Sequence, residues 1–179
     1  MKFNYTKKCL AVMLIISATA ISSCKNDDND RDYALSNQEF VNRASSSNQF
    51  EIAAGALAVN RGVSADVKHY GEHMVADHTT AAVEMKNLAN GKGWIVPEAL
   101  QSKEQQNLNR LTGLNGVDFD REFVNVMVLS HQDAVSLFET AADGYGVPDA
   151  DLRAMASVKL PVLREHLKDA IALKSKVNP

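Results

Sequence analysis

Histidines occupy three positions at which a packed helix would normally carry an apolar side chain. His78, His131 and His166 each lie among apolar or small residues that recur at alternating steps of three and four. This spacing keeps one face of a helix turned toward its partners. A fourth segment has the same spacing and carries Glu51 at the corresponding position. The four stripes lie in residues 67–88, 124–141, 152–173 and 40–58.

Buried imidazoles and carboxylates need partners, because burying such a group unpaired costs several kcal/mol. Each of the four side chains falls near the middle of its segment, so antiparallel packing would bring all four to one height. A glutamate and three neutral imidazoles suit one divalent transition metal ion, such as zinc, iron, copper or manganese. A metal-free layer of glutamate–histidine hydrogen bonds satisfies the same groups, and the sequence alone favours this simpler interpretation. A helical register in which the groups do not meet is the third alternative.

A second set of candidate ligands lies on the same segment as His78. His69, His73 and Asp77 are spaced four residues apart and so share one strip of a helix. Two histidines at this spacing can chelate a metal ion, but such a strip is more often a solvated face, which is the interpretation we favour. The sequence contains no Gly-rich phosphate loop, nucleophile elbow or H-E-x-x-H motif. Enzymatic activity is therefore not indicated.

The elements that must position these residues are helices. Alanine is abundant, prolines are few and alternating β-branched residues are nearly absent, which predicts an all-α domain. Capping and breaking residues predict helices at about 36–61, 64–90, 97–112, 118–143 and 149–174. The serine run 45–48 could bend the first helix, and Pro161 predicts a kink in the last. The connection 91–117 is long enough to travel along a ferritin-like four-helix bundle, with a short-loop topology as the alternative.

The N-terminal residues predict export and lipidation. Residues 1–23 combine a lysine-bearing start with an apolar stretch of signal-peptide length, and they end in Ile-Ser-Ser directly before Cys24. This ending resembles a bacterial lipobox, so we expect Cys24 to carry lipid and residues 24–35 to form an acidic, flexible tether. An ordinary secretory signal with an incidental cysteine is the alternative. The folded domain, residues 36–176, would then be lipid-anchored in the cell envelope, and the Lys-Asn-Asp-Asp tract after Cys24 favours the outer membrane, on its periplasmic or surface side.

Cysteine count and charge narrow the range of partners. The chain has two cysteines, of which Cys9 leaves with the signal and Cys24 carries lipid, so the folded domain has no disulfide and no thiolate ligand. The net charge is −3, and loss of the three signal-peptide lysines makes it −6, which argues against a nucleic-acid partner. The expected partners are the membrane, through the lipid anchor, and an unidentified protein of the envelope.

Three separated motifs resemble a known family. The runs FEIAAGALAVNRGVSADVKHYGEHMVADHTTA, VMVLSHQDAVSLFETAA and LPVLREHLKDA occur in this order. Across residues 36–174 the chain resembles the bacterial secreted proteins grouped as domain of unknown function 4142. The resemblance implies a ferritin-like helical fold and export, often as a lipoprotein, and it carries no established activity. The corresponding motif positions are Glu51, Asp77, His78, His131 and His166.

The chain departs from the di-iron ferritin pattern, which requires a glutamate three residues before a histidine on two helices. The residues at that position here are Val75, Val128 and Leu163, so ferroxidase and iron-storage activity are not expected. Two hypotheses follow. The first is a non-enzymatic, membrane-tethered module of the cell envelope, for instance in stress tolerance. The second is a mononuclear metal-binding bundle for sensing, sequestration or redox work.

Overall fold

Helices form nearly all of the part of the chain that the computed structural model describes, residues 32–178. Their bounds are α1 Asn37–Arg61, α2 Ala65–Lys92, α3 Ser102–Thr112, α4 Gly116–Ala142 and α5 Ala150–Val177. The predicted all-α class is confirmed, as is the short helix between the second and third long helices. That helix begins at Ser102 rather than at Pro97, because the residues between them are bound to α1 instead of coiling.

Side-chain and glycine caps set the helix ends. The Ser36 hydroxyl accepts a hydrogen bond from the Glu39 amide at 3.1 Å, as the capping-box pattern predicts. Gly93, with a φ of 73°, ends α2 in the left-handed conformation that a glycine adopts without a Cβ clash. The start of α2 differs from the prediction, because the Ser64 hydroxyl makes no capping bond. Instead, the buried Asp120 carboxylate of α4 accepts a hydrogen bond from the Ser64 amide at 2.8 Å.

The long helices form two antiparallel pairs, α1 with α2 and α4 with α5, and these pairs pack on each other to close the bundle. The short turn 62–64 joins the first pair. Gly55 and Gly71 let its two backbones approach closely, because a Cβ at Gly71 would lie 2.7 Å from the Gly55 carbonyl oxygen. This close approach brings the middles of α1 and α2 together at the height of the predicted polar layer.

The connection between α2 and α4 runs the length of the bundle along α1. At the start of α1, the Gln38 side chain exchanges hydrogen bonds with the backbone of Ile95. At its end, Arg61 donates to the carbonyl oxygen of Thr112 at 2.5 Å. Side chains from the middle of α1 bind the connection between these points. The expected long crossover is present, and the serine run 45–48 helps to hold it while α1 stays continuous.

Two apolar clusters fill the bundle, and the polar side chains of the four stripes lie between them. One cluster is built around Phe50 and Phe123, the other around Phe40 and Leu152. Every residue of the four predicted stripes is buried or half-buried, which confirms their register. Helix α5 continues through Pro161. Among residues 32–178, no helix combines the length and the hydropathy that a membrane span requires.

Candidate metal centre

Three imidazoles from three helices meet between the apolar clusters. His78 of α2, His131 of α4 and His166 of α5 have ring centroids 5.4–5.8 Å apart, and we call them the three-histidine cluster. One ring nitrogen of each lies within 4.8 Å of one from each of the others. The three residues are only 7%, 0% and 8% exposed, so water does not surround them. The helical register predicted this convergence, and the structure contains it.

Each ring is held by a hydrogen bond from one nitrogen, which we call its outer nitrogen, while the other, its inner nitrogen, is buried without a partner among the described residues. His131 Nδ1 lies 2.9 Å from the carbonyl oxygen of Met127, one turn earlier on α4. His166 Nε2 lies 3.0 Å from the Asp77 Oδ2 of α2. Both partners can only accept, so these two ring nitrogens carry the proton and donate. In the neutral form of each ring the opposite nitrogen, His131 Nε2 or His166 Nδ1, then carries the lone pair.

The third ring is oriented by an amide. His78 Nδ1 lies 2.9 Å from Asn48 Oδ1, and the same amide donates from Nδ2 to the His78 carbonyl oxygen at 2.7 Å. Since the donor end of the amide is used by that carbonyl, its oxygen end accepts from the ring. His78 therefore carries its proton on Nδ1 and leaves Nε2 as a lone pair.

The three free nitrogens are buried and have no hydrogen-bond partner within the described part of the chain. An unsatisfied buried polar atom costs about 1–3 kcal/mol, so three of them in one place are expensive unless something binds them all. Histidines that ligate a metal have this arrangement: one nitrogen faces the ion while the other donates to a carbonyl, amide or carboxylate oxygen. The cluster can therefore hold one transition metal ion.

Burial also keeps the imidazoles in the form that binds a metal. It lowers the pKa of His78 well below the ordinary value of 6.5, and the neighbouring His131 and His166 lower it further. Burial lowers the pKa of His166 as well, against the opposing effect of its hydrogen bond to Asp77. Both rings are therefore neutral at pH 7, with a lone pair available to a cation.

Glu51 lies beside the cluster rather than within its group of nitrogens. Its Oε1 accepts a hydrogen bond from the Ser130 hydroxyl at 2.5 Å and lies 3.7 Å from His131 Nδ1, the nitrogen bound to Met127. Its Oε2 is buried without a partner among residues 32–178. Burial raises the pKa of Glu51, and His131 and Ser130 only partly offset this. Glu51 thus supports His131 from its outer side, and a role for it as a direct ligand stays a prediction.

The weaker candidates on α2 separate in the structure. His69 and His73 are exposed, with ring centroids 4.4 Å apart, and His69 pairs with Glu72. Asp77 reaches across to His166 and so belongs to the surroundings of the cluster. Sequence reasoning missed Asn48, which stands in the serine run that looked only like a weak point of α1. Asn48 could have been identified from its position three residues before Glu51, which places it close to the height of the polar layer.

A cavity of about 270 Å³ opens beside the cluster. His78 and His166 form part of its wall, and all four long helices contribute to its lining. Asn48 and Asp77, which accept hydrogen bonds from these two rings, line the cavity as well, whereas the three free nitrogens are buried.

Fold and site together define an all-α bundle with a buried group of three histidines that could hold a metal ion. The family model described as Domain of unknown function (DUF4142) matches residues 23–173, and the chain belongs to this family. None of the curated proteins and none of the solved structures compared with the chain matches it.

Proposed function

We propose that this domain binds a single divalent transition metal ion through the three-histidine cluster. The observation that supports this most is the pairing of inner and outer nitrogens. Each ring is fixed at its outer nitrogen by an acceptor, and each leaves an unpartnered nitrogen buried inside the bundle. A hydrogen-bonded layer without an ion would instead use these inner nitrogens for bonds. The metal-free interpretation that the sequence favoured is therefore the weaker one.

A mononuclear centre fits the ligands better than a dinuclear one. Two bridged ions need carboxylates between them, whereas Glu51 faces the outer side of His131 and Asp77 faces the outer nitrogen of His166. Three neutral imidazoles leave a tetrahedral ion with one further position to fill, as in sites that keep an open coordination position. Nitrogen ligands of this type suit zinc, copper and iron. We infer a role in metal sequestration or sensing.

Metal analysis of the Cys24→Ser chain tests this proposal. After loading with zinc and desalting, the protein should retain one equivalent of metal. His131→Ala should lose it, because the variant removes one of the three inner nitrogens, while His73→Ala should keep it, because His73 is exposed and outside the cluster. Absence of bound zinc, copper and cobalt after loading of the unsubstituted cluster would refute the proposal.

We further propose that the protein acts while anchored to a membrane of the cell envelope by lipid on Cys24. The lipobox-like sequence before Cys24 and the acidic residues after it support this location, and both lie outside the described residues. Cys24→Ser should move the protein from the membrane fraction to the soluble fraction, because it removes the acylated thiol. Cys9→Ser is the matched control and should leave the protein on membranes. Membrane retention of the Cys24→Ser protein would contradict the anchor.

A further inference from the structure

Two histidines and a glutamate stand together on the exposed surface of α2, outside the three-histidine cluster. His69, Glu72 and His73 follow one another at spacings that place all three on one face of the helix. The ring centroids of His69 and His73 lie 4.4 Å apart, and His69 Nδ1 lies 3.6 Å from Glu72 Oε2. All three residues are exposed. We call His69 and His73 the surface histidine pair.

The contacts of this pair differ from those of a simple solvated strip. In such a strip the Asp77 carboxylate would pair with His73, one turn earlier on the same helix. Asp77 Oδ2 instead accepts a hydrogen bond from His166 at 3.0 Å, and the ring beside His73 is that of His69. Two imidazoles from successive turns of one helix are close enough to bind the same metal ion.

Glu72 adds a carboxylate to the same face. Its Oε2 lies next to His69, and imidazole nitrogens together with a carboxylate oxygen form a ligand set that suits divalent transition metals. The order His-x-x-Glu-His at 69–73 is also found in zinc-binding segments of some metalloenzymes. Because the three side chains stand on the open surface of the bundle, we infer ion binding here and not catalysis.

We propose that the surface histidine pair binds one divalent transition metal ion, with Glu72 as a third ligand and water in the remaining positions. Copper(II) should bind most tightly and nickel(II) less tightly, in the usual order for such ligands. Since the ligands are exposed, water competes for the ion, and the site should be weaker than the buried cluster and lose its metal on desalting. No residue of the cluster takes part, so this site does not depend on the metal centre proposed above.

Nickel titration by calorimetry tests the site in a chain with a disrupted cluster. This chain has no affinity tag, and it carries His131→Ala together with Cys9→Ser and Cys24→Ser, which remove both thiols. It should bind one equivalent of nickel. His69→Ala and His73→Ala should each weaken binding about a hundredfold, because two ligands held together bind far more tightly than either alone. Absence of nickel binding, or unchanged affinity in either variant, would overturn the proposal.

Spacing variants separate chelation from binding to single histidines. In the His69→Ala chain, Ala76→His restores a pair at a spacing of three on the exposed face and should recover nickel binding. Lys68→His in the same chain is the matched control, because it places the two histidines five residues apart on different faces of the helix, and binding should stay weak. Equal recovery by both would refute a chelate. Glu72→Gln should weaken binding, and an unchanged affinity would exclude Glu72 as a ligand.

The two metal sites fail in different ways. The cluster should keep its zinc through desalting in His73→Ala and lose it in His131→Ala, whereas nickel binding at the surface pair should show the opposite dependence. If His131→Ala abolishes nickel binding and His73→Ala has no effect, the surface site falls and the cluster stands. If His131→Ala does not fold, the unsubstituted cluster is first filled with zinc. The surface pair should then bind one equivalent of nickel that His73→Ala removes, and absence of this equivalent would refute the site.

Discussion

Replacing His78 by leucine should have opposite consequences with and without metal. Leucine is close in volume, and position 78 lies on a buried stripe, so the side chain can pack there. Without metal, the substitution removes an unpartnered buried nitrogen, which costs about 1–3 kcal/mol, and one hydrogen bond to Asn48, which contributes about 0.5–1.5 kcal/mol. These two effects oppose each other. In a chelator, the free energy of unfolding should therefore change by no more than about 2 kcal/mol.

With metal the balance changes, because only the unsubstituted cluster offers three nitrogens. Zinc at one hundred times its dissociation constant stabilises the folded state by about 2.7 kcal/mol. For a domain of this size, each kcal/mol raises the melting temperature by about 2–4 °C, so zinc should raise it by roughly 5–11 °C. His78→Leu should lose most of this increase at the same zinc concentration.

Thermal melts followed by circular dichroism measure the stability of the metal-free protein in chelator and the increase in melting temperature in zinc on the same samples. His73→Leu is the control, since His73 is an exposed histidine on the same helix, and it should melt with the full zinc-dependent increase. An equal increase in His78→Leu would show that zinc binds elsewhere. Destabilisation of the chelated protein by 4 kcal/mol or more, far above the roughly 2 kcal/mol expected, would show that the imidazole is a packing element rather than a ligand.

Three further predictions concern stability without metal. Burial lowers the pKa of His78 and His166 below 6.5, so below that pH the unfolded chain binds protons that the folded chain excludes. Each histidine should then remove up to about 1.4 kcal/mol per pH unit in urea titrations, and a melting temperature unchanged from pH 8 to 5 would contradict this. The pKa of Glu51 is raised, so above its ordinary value of 4.5 the folded chain holds a proton that the unfolded chain has lost, and this stabilises the fold as the pH falls. Glu51→Gln removes this opposing effect and should make the loss of stability on acidification steeper. Gly71→Ala should destabilise the bundle by about 1–3 kcal/mol, because its Cβ would lie 2.7 Å from a backbone oxygen of α1. Gly91→Ala, which has nothing within 4 Å, should instead be neutral or stabilising in the same assay.

Much of the fold follows from local sequence. Helix periodicity depends only on the steps between neighbouring residues, so the stripes carrying His78, His131 and His166 could be read from the chain and proved buried. The cap at Ser36 is equally local. The start of α2 is not, because the Ser64 amide just before the helix is bound by Asp120, more than fifty residues further along the chain. No pattern around Ser64 reports on such a partner.

The centre itself depended on tertiary structure. A stripe places a histidine on a face of a helix, but the rotation of its ring depends on which neighbouring helix supplies an acceptor. Asn48 of α1 and Asp77 of α2 settle that rotation for His78 and His166, and with it which nitrogen stays free. The same packing puts Glu51 behind His131 rather than among the free nitrogens. The sequence alone determined which residues are buried at this height. Only the distances between helices decided which atoms face one another, because side-chain direction is set by contacts across the bundle.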